Sequence, residues 1–180
     1  MRRVPQPARS TALLLAVAAG TLVAVGLGVY GRLHEPSSYA LNLAGFSTGL
    51  AAKAWLATGA FVLALVQIGS ARLMYRGAGA PYRVATLHRW SGRAAVLLTV
   101  PVAVHCLYAL GFQGGSARVL GHSLAGCFFY GVFVAKMLVL GRGGAPRWSV
   151  PVLGGVLFTA LTALWLTSSL WFFTTSGLTF

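Results

Sequence analysis

Four histidines are the residues of this sequence best suited to hold a metal or a haem, and three of them fall between Leu87 and Leu140. That stretch reads LHRWSGRAAVLLTVPVAVHCLYALGFQGGSARVLGHSLAGCFFYGVFVAKMLVL. His105 and His122 lie in apolar surroundings on either side of the short GFQGGS turn. Such a turn predicts neighbouring antiparallel helices. Neutral imidazole ligates iron or copper without help from a carboxylate. Imidazoles from facing helices are a common way to hold haem in a bundle. His105 and His122 are therefore the candidate axial ligands.

The neighbouring residues are compatible with a macrocycle. Tyr108, Phe128, Phe129 and Tyr130 could pack against it, and Gly121 and Gly126 leave room near His122. Lys53, Arg118 or Arg32 could meet propionates, with His34 at the periphery. Other readings stay open for the same pair. The two imidazoles could hydrogen-bond across helices, to Gln67 or to backbone carbonyls. They could bind copper with His34 as a third ligand, or face a quinone or a proton path. His88 is seventeen residues before His105, roughly 25 Å along one helix, so the two cannot share a small ligand. With Arg89, Trp90 and Arg93 beside it, His88 reads as an interfacial anchor. Met74 and Met137 read as packing residues. Lys136 lies fourteen residues after His122 on a similar helical face and is expected to snorkel to the near membrane surface.

Glu35 is the only acidic residue, and there is no aspartate. Paired-carboxylate catalysis and an Asp/Glu proton relay are thereby excluded. The glycine-rich runs GLGVYG, GAGAP and GFQGG lack the lysine and hydroxyl of a phosphate loop. There is no HExxH and no GxSxG. Cys106 and Cys127 form no CxxC and no zinc spacing. They read as small buried hydrophobes, with a disulfide between them left open.

The elements that must position these residues follow from composition. Hydrophobic residues make up 57% of the 180 and charged residues 8%, against roughly a quarter charged in a soluble domain. Apolar runs of about 20 residues cross a bilayer as helices, because lipid satisfies no backbone group. The runs predict an all-α polytopic transmembrane bundle of five helices forming a single domain, with spans at 11–30, 50–73, 88–110, 119–140 and 150–173. A polar amino-terminal segment, 1–10, precedes them, kept irregular by Pro5 and Pro7. A short tail, 174–180, follows. The first span is read as a retained helix, since a signal peptide's apolar core is typically about 7–15 residues. Residues 40–46 are apolar enough to lie along the interface. Pro101 is expected to kink the third span, and Trp148 and Trp171 bracket the fifth at interface depth. Gly121, Ala125, Gly126, Gly131 and Ala135 give the fourth span a row of small residues for close helix contact.

The net charge of +13 follows membrane topology. Arg2, Arg3, Arg9, Arg72, Arg76, Arg83, Arg89, Arg93, Lys136, Arg142 and Arg147 fall on one side of the five spans. Arg32, Lys53 and Arg118 fall on the other. The positive-inside rule then predicts a multi-pass cell-membrane protein with a cytoplasmic amino terminus and an outer carboxyl terminus. Arginines gathered beside apolar spans do not indicate nucleic-acid binding. In this orientation His105 lies about 9 Å from the outer end of its helix, with His122 near the same surface.

The segments MYRG, LHRWSG, PVAVHCLYALGFQ, RVLGHSLAGCFFYGVFVAKM and WLTSSLWFF resemble an uncharacterised family of small actinobacterial membrane proteins, over most of the chain after Leu33. More distantly the chain resembles the cytochrome b561 and ferric-reductase-like transmembrane group, in which bundle histidines hold haem b and move electrons. That resemblance implies His88, Arg89 and Gly92 at a helix start, His105 later in the same helix, and His122 in the next. A two-haem member needs four placed ligands, and this chain has three histidines in its spans. The resemblance thus implies one haem b site, at His105 and His122, serving an electron-transfer subunit with quinol or a membrane redox partner as donor. The alternatives are a non-enzymatic scaffold or accessory subunit docking through small-residue faces, and a small transporter component that would need to oligomerise.

Overall fold

The computed structural model describes residues 6–38, 45–75 and 81–180, with side chains from Ser10 onward. Five helices among them are long and apolar enough to cross a membrane, and no strand occurs among the described residues. They are α1 (Gln6–Leu33), α2 (Gly49–Tyr75), α3 (Tyr82–Leu110), α4 (Ala117–Arg142) and α5 (Ser149–Ser176). The all-α, five-helix expectation holds.

Helix ends depart from the predicted limits for local reasons. α1 starts at Gln6, because a proline is tolerated in a first turn, where its missing N–H has no intrahelical partner anyway. The irregularity expected through Ser10 is therefore absent from Gln6 onward, while Arg2, Arg3 and Pro5 lie outside the described residues. Thr48 caps α2 through a hydrogen bond from the Ala51 N–H to its hydroxyl, 3.1 Å. Ser116 caps α4 in the same way, from Val119 N at 3.3 Å, satisfying donors that a helix start leaves open. The apolar stretch 40–46 falls mostly on residues 39–44, outside the described ones, as does Arg76.

The described residues form two compact units, one drawn from Met1–Glu35 and Gly111–Leu164, the other from Pro36–Leu110 and Trp165–Phe180. In the first, α1 packs along α4. The two backbones nearly touch. A β-carbon at Gly131 would lie 2.6 Å from the Gly20 carbonyl oxygen and 2.8 Å from the Ala24 Cβ. One at Gly20 would lie 2.4 Å from the Gly131 carbonyl oxygen. Ala16, Gly20, Ala24 and Gly28 recur every four residues along α1, one stripe of the helix surface. Gly131 and Ala135 answer them from α4, and the Cys127 Sγ would lie 3.8 Å from a β-carbon at Gly28. The small-residue row read on α4 is thus used at Gly131 and Ala135, and its partner is the first helix. Beyond the membrane end of this pair, the Phe112 N–H bonds the Gly31 carbonyl at 2.6 Å.

In the second unit α2 packs along α3 and against the C-terminal part of α5. Ala51, Ala52, Ala54, Ala60 and Ala64 are buried along α2. Aromatic contacts fasten the end of the chain. Phe61 stacks on Trp165 with ring centroids 4.8 Å apart, and the Trp165 indole donates to the Thr58 hydroxyl at 3.0 Å. The last residues are docked as well. Trp55 stacks on Phe180 at 4.5 Å and its indole N–H donates to the Thr179 carbonyl at 2.9 Å. The Ser47 N–H adds a bond to the Phe180 carbonyl, 2.8 Å.

The glycine contact gives a steric prediction. Gly131→Leu is expected to lower unfolding stability by about 3 kcal/mol or more, since an overpacked site must push two backbones apart. Gly121→Ala, where a β-carbon meets nothing within 4 Å, should stay within about 0.5 kcal/mol of the parent. Thermal unfolding of the detergent-purified variants measures both.

Candidate functional site

His105 is 4% exposed and stands where α3 changes its winding. Pro101 precedes it by one turn. The His105 N–H reaches the carbonyls of both Pro101 and Val102. From His105 to Leu110 the helix then adopts the wider π form. Such turns are rare and are frequent at functional sites. The Nδ1 of His105 is buried without a hydrogen-bond partner. A buried polar atom left unmatched costs about 1–3 kcal/mol. A neutral imidazole with an unmet nitrogen in a dry environment can accept a proton-bearing group or ligate a metal. Lys53 lies in the first turn and a half of α2, the helix that packs along α3.

α5 carries a parallel feature in the same unit. Leu166–Leu170 is also π-helical, and Ser169 within it is 0% exposed with an unpartnered hydroxyl. Sequence reading missed Ser169. Its signal, a polar SS pair inside WLTSSLWFF, is weak because membrane serines usually bond their own helix. Ser70 does so at 2.7 Å to the Val66 carbonyl, and Thr162 at 2.8 Å to that of Phe158.

His88 is placed otherwise than expected. It faces α2 instead of joining an interfacial anchor. The Ser70 hydroxyl commits its proton to Val66, so its oxygen accepts from the His88 Nδ1–H at 2.9 Å. Gln67 completes the contact. Its amide nitrogen donates to the Ser91 hydroxyl at 2.7 Å and to the His88 carbonyl. Ser91 in turn donates to the Leu87 carbonyl at 2.7 Å. Gln67 is thus engaged with α3 at His88 and Ser91, not with the His105 or His122 ring as one reading allowed. Gly92 makes room for it, since a β-carbon there would lie 3.1 Å from the Gln67 Oε1. The anchoring role falls to the outward-facing Trp90 and Arg93, whose guanidinium sits 5.0 Å over the indole ring.

Of the other predicted site residues, all but Tyr108 belong to the first unit. His122 and Arg118 are half-buried in the first turns of α4. His34, just past α1, stacks on Tyr30 with centroids 5.1 Å apart. Of the aromatics read as packing for a macrocycle, Phe129 is buried with Tyr130 edge-on at 5.3 Å, whereas Phe128 and Tyr108 face outward. Gly121 opens onto free space, and Gly126 faces Leu164. Cys106 and Cys127 are both free thiols, one in each unit. Among the described residues, no group of three or more His, Cys, Asp or Glu side chains is placed to hold a metal ion. A copper site built on three histidines has no such group to rest on.

Comparison with known proteins places the chain. Residues 13–180 match the model of a family of unknown function, DUF6529. The chain belongs to that family. No curated protein and no solved structure matches it significantly. The expected multi-span membrane family is therefore met, while no likeness to the cytochrome b561 group was found.

In the second unit His88 has its Nδ1 engaged with Ser70, and His105 has an unmatched ring nitrogen. Of the two, His105 is the imidazole that would be available to an iron.

The α2–α3 network is open to a double-mutant cycle. Gln67→Leu and Ser91→Ala should each destabilise by about 0.6–1.7 kcal/mol, the range of interhelical hydrogen bonds in membranes. The double variant should lose less than the sum, because both remove the same bond. Unfolding of the four proteins in detergent reads the coupling.

Proposed function

We propose that this integral membrane protein is a b-type haem electron-transfer subunit in which His105 would hold the haem iron. The observation that carries the reading is the buried His105 ring, with an unmatched nitrogen on a π-helical turn. Keeping a polar ring in that place costs stability, and iron would bind it through Nε2, leaving Nδ1 to carry the ring proton. Haem b supplies one-electron exchange at its iron. The chain supplies the imidazole, a dry apolar surround that excludes water, and Lys53 to balance a propionate. The lack of any acid other than Glu35 suits one-electron traffic better than carboxylate-based proton transfer. On this reading quinol or a membrane redox partner donates the electrons. By the positive-inside rule the arginine distribution supports a cytoplasmic amino terminus, with the His105 end of α3 toward the outside.

A reduced-minus-oxidised absorption spectrum of the purified protein tests this directly. The expected result is a haem b difference band that His105→Ala abolishes, with the variant still folded by thermal unfolding. Loss of the same band in His122→Ala assigns the second axial position to His122. Retention there leaves His105 as the sole histidine ligand of the pair. Haem-free protein from cells that load other b cytochromes normally overturns the proposal.

A further inference from the structure

Lys136 is half-buried in α4, six residues before Arg142 ends the helix, or about 9 Å along the axis. It was expected to snorkel to the membrane surface. Instead its ammonium lies over α5, where a β-carbon on Gly154 would stand 3.5 Å from the Nζ. A β-carbon there would meet the ammonium in ordinary van der Waals contact. A cation held between two membrane helices calls for a counter-charge, and this chain offers none at that end. Its one acidic side chain, Glu35, follows α1 at the opposite end of the unit, where Gly31 is bonded to Phe112 ahead of α4. Lys136 is nineteen residues into α4 from Ala117, roughly 28 Å away along the helix.

The same end of the α4–α5 pair holds more unmatched polarity. Ser149, which opens α5, is 0% exposed and its hydroxyl has no partner. Arg142 and Arg147 face outward from the connecting turn. Gly143 and Gly144 in that turn both have positive φ, 65° and 78°. Basic pockets between membrane helices near one surface take the headgroups of acidic lipids. We infer that the α4–α5 turn binds the phosphate of one anionic phospholipid, with Lys136 as the central cation and Arg142 and Arg147 at the rim. The acyl chains would lie along the apolar outer surface of α5, where Val152 is 50% exposed. This site is independent of any cofactor at His105.

Native mass spectrometry of the full-length protein, titrated with phosphatidylglycerol or phosphatidylcholine in detergent, tests the inference. The wild type should retain one phosphatidylglycerol in preference to phosphatidylcholine. Lys136→Met should weaken that binding roughly five- to tenfold, and Lys136→Arg should keep it. Gly154→Leu, which fills the space under the ammonium, should weaken it as well, so the test does not hang on one variant. Arg83→Ala, in the other unit, should bind as the wild type does. Equal retention of the two lipids, or unchanged binding by folded Lys136→Met, overturns the inference. Displacement of the lipid by millimolar inorganic phosphate reassigns the anion to free phosphate. A carbodiimide cross-link from Lys136 to a co-purifying protein's carboxylate overturns it in favour of a partner helix.

Discussion

Lipid hydrocarbon offers a polar group nothing to bond, so every hydroxyl, amide and ring nitrogen within a span must be satisfied by the protein or by something the protein binds. This chain meets that demand almost without carboxylates. Gln67 serves as the versatile group between α2 and α3, its amide nitrogen divided between the Ser91 hydroxyl and the His88 carbonyl. Serines and threonines turn back to their own helix, as Ser70, Thr58 and Thr162 do. Among the described residues, the groups left over include His105 Nδ1, Ser149, Ser169 and Thr86, together with the charge of Lys136. Their costs differ. A hydroxyl left unmatched is cheaper than a displaced cation, so Lys136 makes the strongest demand for an external partner and the serines the weakest.

The two units answer the shared lack of a hydrophobic drive between membrane helices in different ways. α1 and α4 rely on shape. Gly20 and Gly131 let the backbones meet, and dispersion over that close contact does the holding. α2 and α3 rely on polar groups, with Gln67 spanning the gap and Gly92 yielding room for its amide. The Trp165–Thr58 bond and the Trp55–Phe180 stack then hold the end of the chain to α2. The first unit is therefore sensitive to added volume and the second to lost hydrogen bonds. A β-carbon is more damaging at Gly131 than at Gly121, although both glycines lie in one helix.

Hydropathy made the five spans legible, because length and apolarity alone decide whether a helix can cross. The caps were less so, since Ser116 and Thr48 look like any other loop hydroxyls until the helix start is known. The small residues of α4 were visible, yet nothing in α4 names its partner. That choice depends on the matching four-residue stripe of Ala16, Gly20, Ala24 and Gly28, which a reading of α1 as merely apolar passes over. His88 misled because its sequence neighbours Arg89, Trp90 and Arg93 are interfacial. Its helical neighbours would have corrected this. Ser91 and Ala95 stand three and seven residues on and are both buried, so His88 shares their inward face. Lys136 misled in the same sense, because its neighbour is Gly154 in another helix, which α4 alone does not name.

The placing of His105 lies furthest from what sequence periodicity can supply. Along α3 the buried positions run Ser91, Ala95 and Thr99, one every four residues, and then His105 and Ala109. A helix that kept its α period would next turn Val102 or Ala103 inward, and then Cys106. All three are only half-buried. The six-residue step from Thr99 to His105 contains Pro101, which has no N–H to give the preceding turn, and it ends where the π turn begins. An imidazole, rather than an alanine or a valine, is thus the buried side chain where the π turn begins. An apolar side chain at that position would need no partner for a ring nitrogen. The deviation instead brings in a group that does, at a cost which nothing in the α2–α3 packing requires. On the proposed reading, a ligand for that ring is what the departure from regular winding serves.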